Sequence, residues 1–227
     1  MKPESRSTRM YAQLRADVLA GRLRPGQRLQ YAELCDRYSV SVGVAREVLT
    51  KLTAEGLAEA EVNLGFRVMP LSVTDLNHLT EARCAIEPLV LRLAIEHGGI
   101  EWETHVVGAH HRLERTPQMA REDPDRITEA WAEAHAVYHS ALLAGCPNLR
   151  LCAIAKALRD SAELYRRWSV PLGHEDRDIA GEHHAILNAI IERDADEAAA
   201  ILVDHIQHTT QVLLRGNDLP DRGAESA

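Results

Sequence analysis

Apolar residues recur along this chain at helical spacing almost throughout, and only one short stretch departs from it. From Thr8 to Ala20, Met10, Tyr11, Leu14, Val18 and Leu19 share one face, and Gly21-Arg-Leu-Arg-Pro-Gly26 supplies helix-stop and turn chemistry. Tyr31 to Tyr38 repeats the pattern in short form. After a small-residue turn at Ser39 to Ser41, Val44, Val48, Leu49 and Leu52 line one face of a helix that Ser41 can cap and Gly56 closes. Two short helices joined by a tight turn make a helix-turn-helix unit, whose second helix enters the DNA major groove by its N-terminal end. The departure follows at once. Leu57–Ala60 and Phe66–Met69 read as two strands bridged by Glu61-Val-Asn-Leu-Gly65, a hairpin with a glycine in its turn, so the unit is a winged helix.

Beyond Pro70, which ends the second strand, no strand signal appears. Ser72 or Thr74 can cap the first of six predicted helices: about 74–97, 101–118, 125–143, 148–170, 175–193 and 194–215. Their ends carry Gly98-Gly99, Pro117, Gly145 with Pro147, and Pro171, while Asp194 with Glu197 forms a capping-box pattern. Pro88 inside the first should kink or break it near Glu87. Short loops between long amphipathic helices imply antiparallel packing. The expected fold is mainly α: a winged helix-turn-helix domain over 1–70, an all-α antiparallel bundle of six to seven helices over 71–215, and a polar, disordered tail over 216–227.

Charge sharpens the division. The whole chain carries −8, yet residues 1–70 hold 11 Lys+Arg against 8 Asp+Glu, and the rest holds 15 against 26. All 12 histidines lie after residue 70. The front therefore suits an anionic polymer and the back something cation-linked. No apolar run reaches the roughly 20 residues that span a bilayer, and no signal peptide opens the chain. Cys35, Cys84, Cys146 and Cys152 are scattered without CxxC spacing, reading as small buried hydrophobes in a reducing cytosol. A cytoplasmic location is expected.

The histidines carry the candidate chemistry. His135 and His139 are one turn apart on one helix, while His183 and His205 sit among apolar neighbours on two later helices. Inward imidazoles from three helices could meet at a point and suit zinc, nickel, copper or iron.

Longer motifs resemble a known family. G21-R-L-R-P-G-Q-R-L29, AELCDRYSVS, VAREVLTKLTAEGL and G65-F-R-V68 are similar to the DNA-binding domain of GntR-type bacterial transcription regulators, over about Thr8 to Leu71. H135-AVY-H139, the stretch from E182-H-HAILNAI onward and ILVD-H205 resemble the FCD effector-binding domain of FadR-like members, over about Thr74 to Arg215. The resemblance implies one divalent metal held by His135, His139, His183 and His205. In the family the first of these is usually Asp; His135 removes the hard oxygen ligand, which favours zinc or nickel over manganese or magnesium. The alternative is that His135 does not ligate. Glu182, Asp204 or Asp160 could orient the imidazoles. Arg83 matches an arginine facing the family's ligand pocket and could fork onto a carboxylate effector; the alternative is an ion pair with Glu87. Tyr165 and Arg166, with Arg167, are further pocket candidates, whereas His110, His111 and His184 read as surface residues.

On DNA, the resemblance implies that Arg46 reaches a base edge or phosphate, with Ser41 and Gly43 beside it and Arg28, Lys51 and Arg67 holding the backbone. Val42 replaces the usual arginine, and Asn63-Leu64 replaces a basic wing tip. The implied function is a ligand-responsive regulator that binds a palindromic double-stranded operator as a homodimer and answers to a small organic acid at the metal. Two alternatives remain: a metal-sensing regulator, and a helical-bundle metalloenzyme. Against the enzyme, the chain has neither Glu-x-x-His nor His-Glu-x-x-His.

Overall fold

The computed structural model describes residues 5–61, 63–119, 127–168 and 177–215, the side chains of 167 and 168 excepted. The described elements run α1 (Arg6–Leu19), α2 (Tyr31–Tyr38), α3 (Val42–Ala54), β1 (Ala58–Glu61), β2 (Gly65–Val68), α4 (Val73–His97), α5 (Ile100–Glu114), α6 (Glu129–Leu143), α7 (Leu149–Trp168), α8 (Ile179–Ile191) and α9 (Ala195–Arg215). The expected tail, Arg167 as a pocket residue, and the predicted helix ends at Pro171 and Glu175 fall outside what is described. No described helix is long and apolar enough to cross a membrane.

Two compact units emerge. The first holds the residues up to Asp75 together with Asp160–Trp168; the second holds Leu76–Arg159 and the described residues from 177 on. Contacts thus divide the chain at Asp75, not at residue 70, and assign the last turns of α7 to the first unit.

In the first unit, Met10, Leu14 and Val18 of α1 close over Ala45, Val48, Leu49 and Leu52 of α3, with Leu34, Leu57, Ala58 and Val68 completing the core. Ser41 caps α3 by accepting from the Val44 amide, and Ser39 ends α2 with a left-handed residue (φ 53°). That one residue turns the chain between the two helices. The hairpin pairs Ala58 with Val68 and Glu61 with Gly65, which moves both strands one residue from the predicted bounds. The shift has a local cause: the Leu57 amide still closes α3 on Leu52 O, and Gly65 at φ 91° lets β2 begin early. Residues 26–29, of which only Gly26 falls in the expected turn and the rest have no predicted structure, line the other edge of β2 through Gly26 N to Val68 O, Val68 N to Gln27 O and Leu29 N to Phe66 O. The wing is therefore anchored on both sides.

Among its described residues the second unit has helices as its only regular elements, with one isolated antiparallel bridge between Met119 and Ile127. Its core gathers Val90 and Leu91 (α4), Val106 (α5), Trp131, Tyr138 and Leu142 (α6), Ile186 and Ile190 (α8), and Leu202 and Ile206 (α9). Trp102 Nε1 donates to Ala141 O at 2.9 Å, tying α5 to α6. Pro88 does not break α4, which runs on from Val73 to His97; it forfeits only its own amide bond to the preceding turn.

Candidate metal centre

Three helices in fixed register deliver the histidines. Thr128 caps α6 by accepting from Trp131 N, Asp178 caps α8 through Gly181 N, and Asp194 caps α9 through Glu197 N. Each cap sets where a helix begins and so which way its later side chains point. His135 and His139 of α6, His183 of α8 and His205 of α9 then bring one ring nitrogen each to within 4.8 Å of one another. His139, His183 and His205 are buried, and Trp131 stacks on His135 with centroids 4.8 Å apart. Tyr138 donates to His183 O at 2.8 Å and meets the rings of His139 and His183 edge-on.

The donor set fits a metal ion. His139 Nε2 and His183 Nε2 face each other at 3.3 Å, and two nitrogens on one tetrahedral zinc at about 2.05 Å stand about 3.3 Å apart. His139 Nδ1, which would face away from an ion held at Nε2, is buried with no hydrogen-bond partner among the described residues, so the ring's side-chain partner there is another candidate ligand, His183 Nε2. Burial is the largest cause that pushes the pKa of His139 and His205 down and takes His183 to about 2; neighbouring imidazoles depress His139 and His183 further, and the Arg177 charge acts on His205. Neutral imidazole is the form that ligates. Bound there, the ion would supply a localised positive charge in an otherwise neutral pocket.

Of the three acids expected to orient an imidazole, Glu182 does so: its Oε2 lies 2.7 Å from His205 Nδ1. Asp160 is paired with Arg15 in the first unit, and Asp204 is exposed. Burial alone would raise the Glu182 carboxyl, but hydrogen bonds from Arg177 and His205 outweigh it and hold it well below the usual carboxylate range. Arg177 was not foreseen: it falls inside the predicted 175–193 helix, but α8 begins only at Ile179, and no chemical motif singled it out. Nor was Arg159, whose Nη1 donates to His139 O at 3.2 Å.

The first unit presents a different surface. Ser41, Val42, Gly43, Arg46 and Lys51 are all exposed on α3, opposite its buried face. Arg46 lies over the Tyr31 ring at 5.7 Å and Lys51 Nζ over the Tyr11 ring at 3.5 Å. Arg28 is exposed, and Asn63 sits exposed in the wing turn at φ 63°. Arg67 differs from its expected role as a backbone contact. Paired across the hairpin from Glu59, it is bound by both Glu59 and Glu61, so its charge is neutralised within the wing.

This pairing of a winged helix with a histidine-bearing bundle has relatives. Residues 6–68 match the family of bacterial regulatory proteins called gntR, and residues 78–208 match the FCD domain. The chain belongs to the GntR family. It is 33% identical to the uncharacterized HTH-type transcriptional regulator BphR of Paraburkholderia xenovorans, over 89% of this chain and 83% of that protein. It is 30% identical to the HTH-type transcriptional repressor GlaR of Escherichia coli, over 86% and 90%. A solved structure of E. coli McbR/YncC shares the fold, with TM-score 0.77 at 18% identity over 93% of this chain and 98% of that one.

GntR regulators bind DNA operators, and the FCD domain is their effector-binding part; the family and these relatives are transcription regulators, not enzymes. Within this GntR chain the expected effector residues separate. Arg83 lies near the imidazoles, where its charge helps depress His139 and His205. Its Nε is 2.6 Å from the buried Glu87 carboxylate, so the pairing considered as its alternative is formed. Tyr165 and Arg166 belong to the first unit. The Tyr165 hydroxyl donates to Asp75 at 2.6 Å and contacts Ser72, and Arg166 holds Glu163. Those contacts occupy the groups that were expected to meet an effector. His110 is buried against Tyr138, not exposed as expected. Its signal was its place with Val106 and Leu113 on the apolar face of α5. Among the cysteines only Cys146 is buried, and all four are free thiols.

Proposed function

We propose that this regulator binds a short palindromic operator as a homodimer and that a small organic acid, bound at a divalent metal in the FCD domain, sets its DNA affinity. The convergence of four imidazoles from three helices is the observation that supports the metal, and the all-nitrogen set favours zinc, with nickel next. Arg83 supports the acid, since its bond to Glu87 runs through Nε and its Nη donors could take a carboxylate beside the ion. A two-fold operator needs two recognition helices and one chain supplies one. Ser41, Gly43 and Arg46 read bases, while Arg28, Lys51 and Asn63 contact backbone, in a cytoplasmic protein.

A second reading has its own support. Four protein nitrogens by themselves complete a tetrahedral shell, as closed zinc sites do, and this favours a sensor for which the metal is the signal. Elemental analysis of purified protein and a thermal-shift screen of small carboxylates, each followed by operator binding, separate the two. Retained zinc and an acid that shifts both melting and operator affinity establish the first reading. Operator affinity that follows free zinc, with no acid effective, establishes the second. Protein that takes up no metal overturns both.

A further inference from the structure

We infer that Arg177 and Glu182 are a positioning pair that decides which nitrogen of His205 is free to bind a cation. The consequence for metal binding rests on the reading above; the hydrogen-bond geometry does not. Glu182, in the first turn of α8, carries a carboxylate that can only accept. With its Oε2 2.7 Å from His205 Nδ1, that nitrogen is the donor, and Nε2 on the far side of the ring keeps its lone pair. Arg177 grips the same carboxylate in a fork, Nε at 2.8 Å from Oε1 and Nη2 at 2.6 Å from Oε2. Its other donors reach His205 O at 3.1 Å and the Thr209 hydroxyl at 3.1 Å. His205 is thus held by main chain and ring together.

The arrangement contains a hazard that makes it testable. Arg177 Nη2 also lies 3.4 Å from His205 Nδ1, and a guanidinium can only donate. Without Glu182, Arg177 would donate to an Nδ1 lone pair and drive the ring proton to Nε2, the wrong tautomer. It would also leave an uncompensated positive charge where a cation belongs. Glu182 therefore has two tasks: it accepts the Nδ1 proton and it restrains Arg177. A purely architectural contact would have neither.

The test uses the full chain, with zinc affinity read by competition with a chromophoric chelator and imidazole 15N signals read on metal-free protein. Wild type shows His205 as the Nδ1–H form. Glu182→Ala shifts it to Nε2–H and weakens zinc about 10- to 100-fold, the usual effect of losing an outer partner. The double variant Arg177→Ala/Glu182→Ala binds zinc more tightly than Glu182→Ala alone, because the misdirecting donor has gone. Glu182→Gln, which keeps an acceptor and the shape, retains the Nδ1–H form. A wild-type Nε2–H signal, or a double variant no better than the single, overturns the inference. If wild type takes up no zinc, the metal reading fails by itself, and an Nδ1–H signal that persists in Glu182→Ala still overturns this one.

Discussion

The two units treat charge in opposite ways. In the first, ion pairs stitch one element to another near the surface: Asp17 of α1 holds Arg22, Arg37 and Tyr38, and Arg67 holds Glu59 and Glu61. Other cations, such as Arg46, Lys51 and Arg28, are exposed, the first two against tyrosine rings, which suits a polyanion read from outside. In the second, the charges beside the site are matched pairwise, Arg83 with Glu87 and Arg177 with Glu182, and the buried imidazoles of His139, His183 and His205 face a half-buried fourth, His135. A DNA reader can keep its working groups solvated; a metal site must first remove water and every competing charge.

The largest expected effect breaks the second unit alone. His183→Ala should weaken zinc by more than the about 10- to 100-fold that an outer partner contributes, while titration of operator onto the metal-free variant matches that of metal-free wild type. A variant whose zinc affinity is unchanged removes His183 from the site. Next comes Arg46→Ala, expected to reduce operator affinity by about 1–3 kcal/mol with zinc binding intact. Binding as tight as wild type, read by fluorescence anisotropy across a salt series, would discard that contact.

Acid should separate the units in metal-free protein. The folded-state pKa of His139, His183 and His205 lies below the ordinary 6.5, so the unfolded chain binds more protons below that pH. Stability of the second unit is therefore lost as pH falls from 6.5. Burial would raise Asp17, but hydrogen bonds from Tyr38 and Arg22 and the Arg37 charge outweigh it and lower its pKa from 3.8. Its contribution is present above 3.8 and lost only as pH falls below that value. Circular dichroism, with the fluorescence of Trp102 and Trp131 read in a Trp168→Phe variant because Trp168 belongs to the first unit, should show the bundle weakening first; loss of both units in one step above pH 5 would contradict this. The smallest effect is Ser41→Ala, which removes the cap of α3 and should cost about 1 kcal/mol in chemical denaturation.

What could be read from the residues alone followed from local physics. Helix spans, the caps at Ser41 and Asp194, the wing with its Gly65 turn, and the inward faces carrying His139, His183 and His205 all depend on neighbours three or four positions away, or on two-residue alternation. That spacing is written in the chain itself. Only packing decided the rest. The cross-strand register places Glu59 against Arg67, residues 26–29 find the edge of β2, and Tyr165 reaches Asp75, ninety positions earlier. Arg177 finds Glu182 and His205 from just ahead of α8, although the pattern places it inside that helix. Such pairings join residues whose separation along the chain carries no signal, because the free energy that selects them is that of burying whole faces together and satisfying the polar groups caught between them.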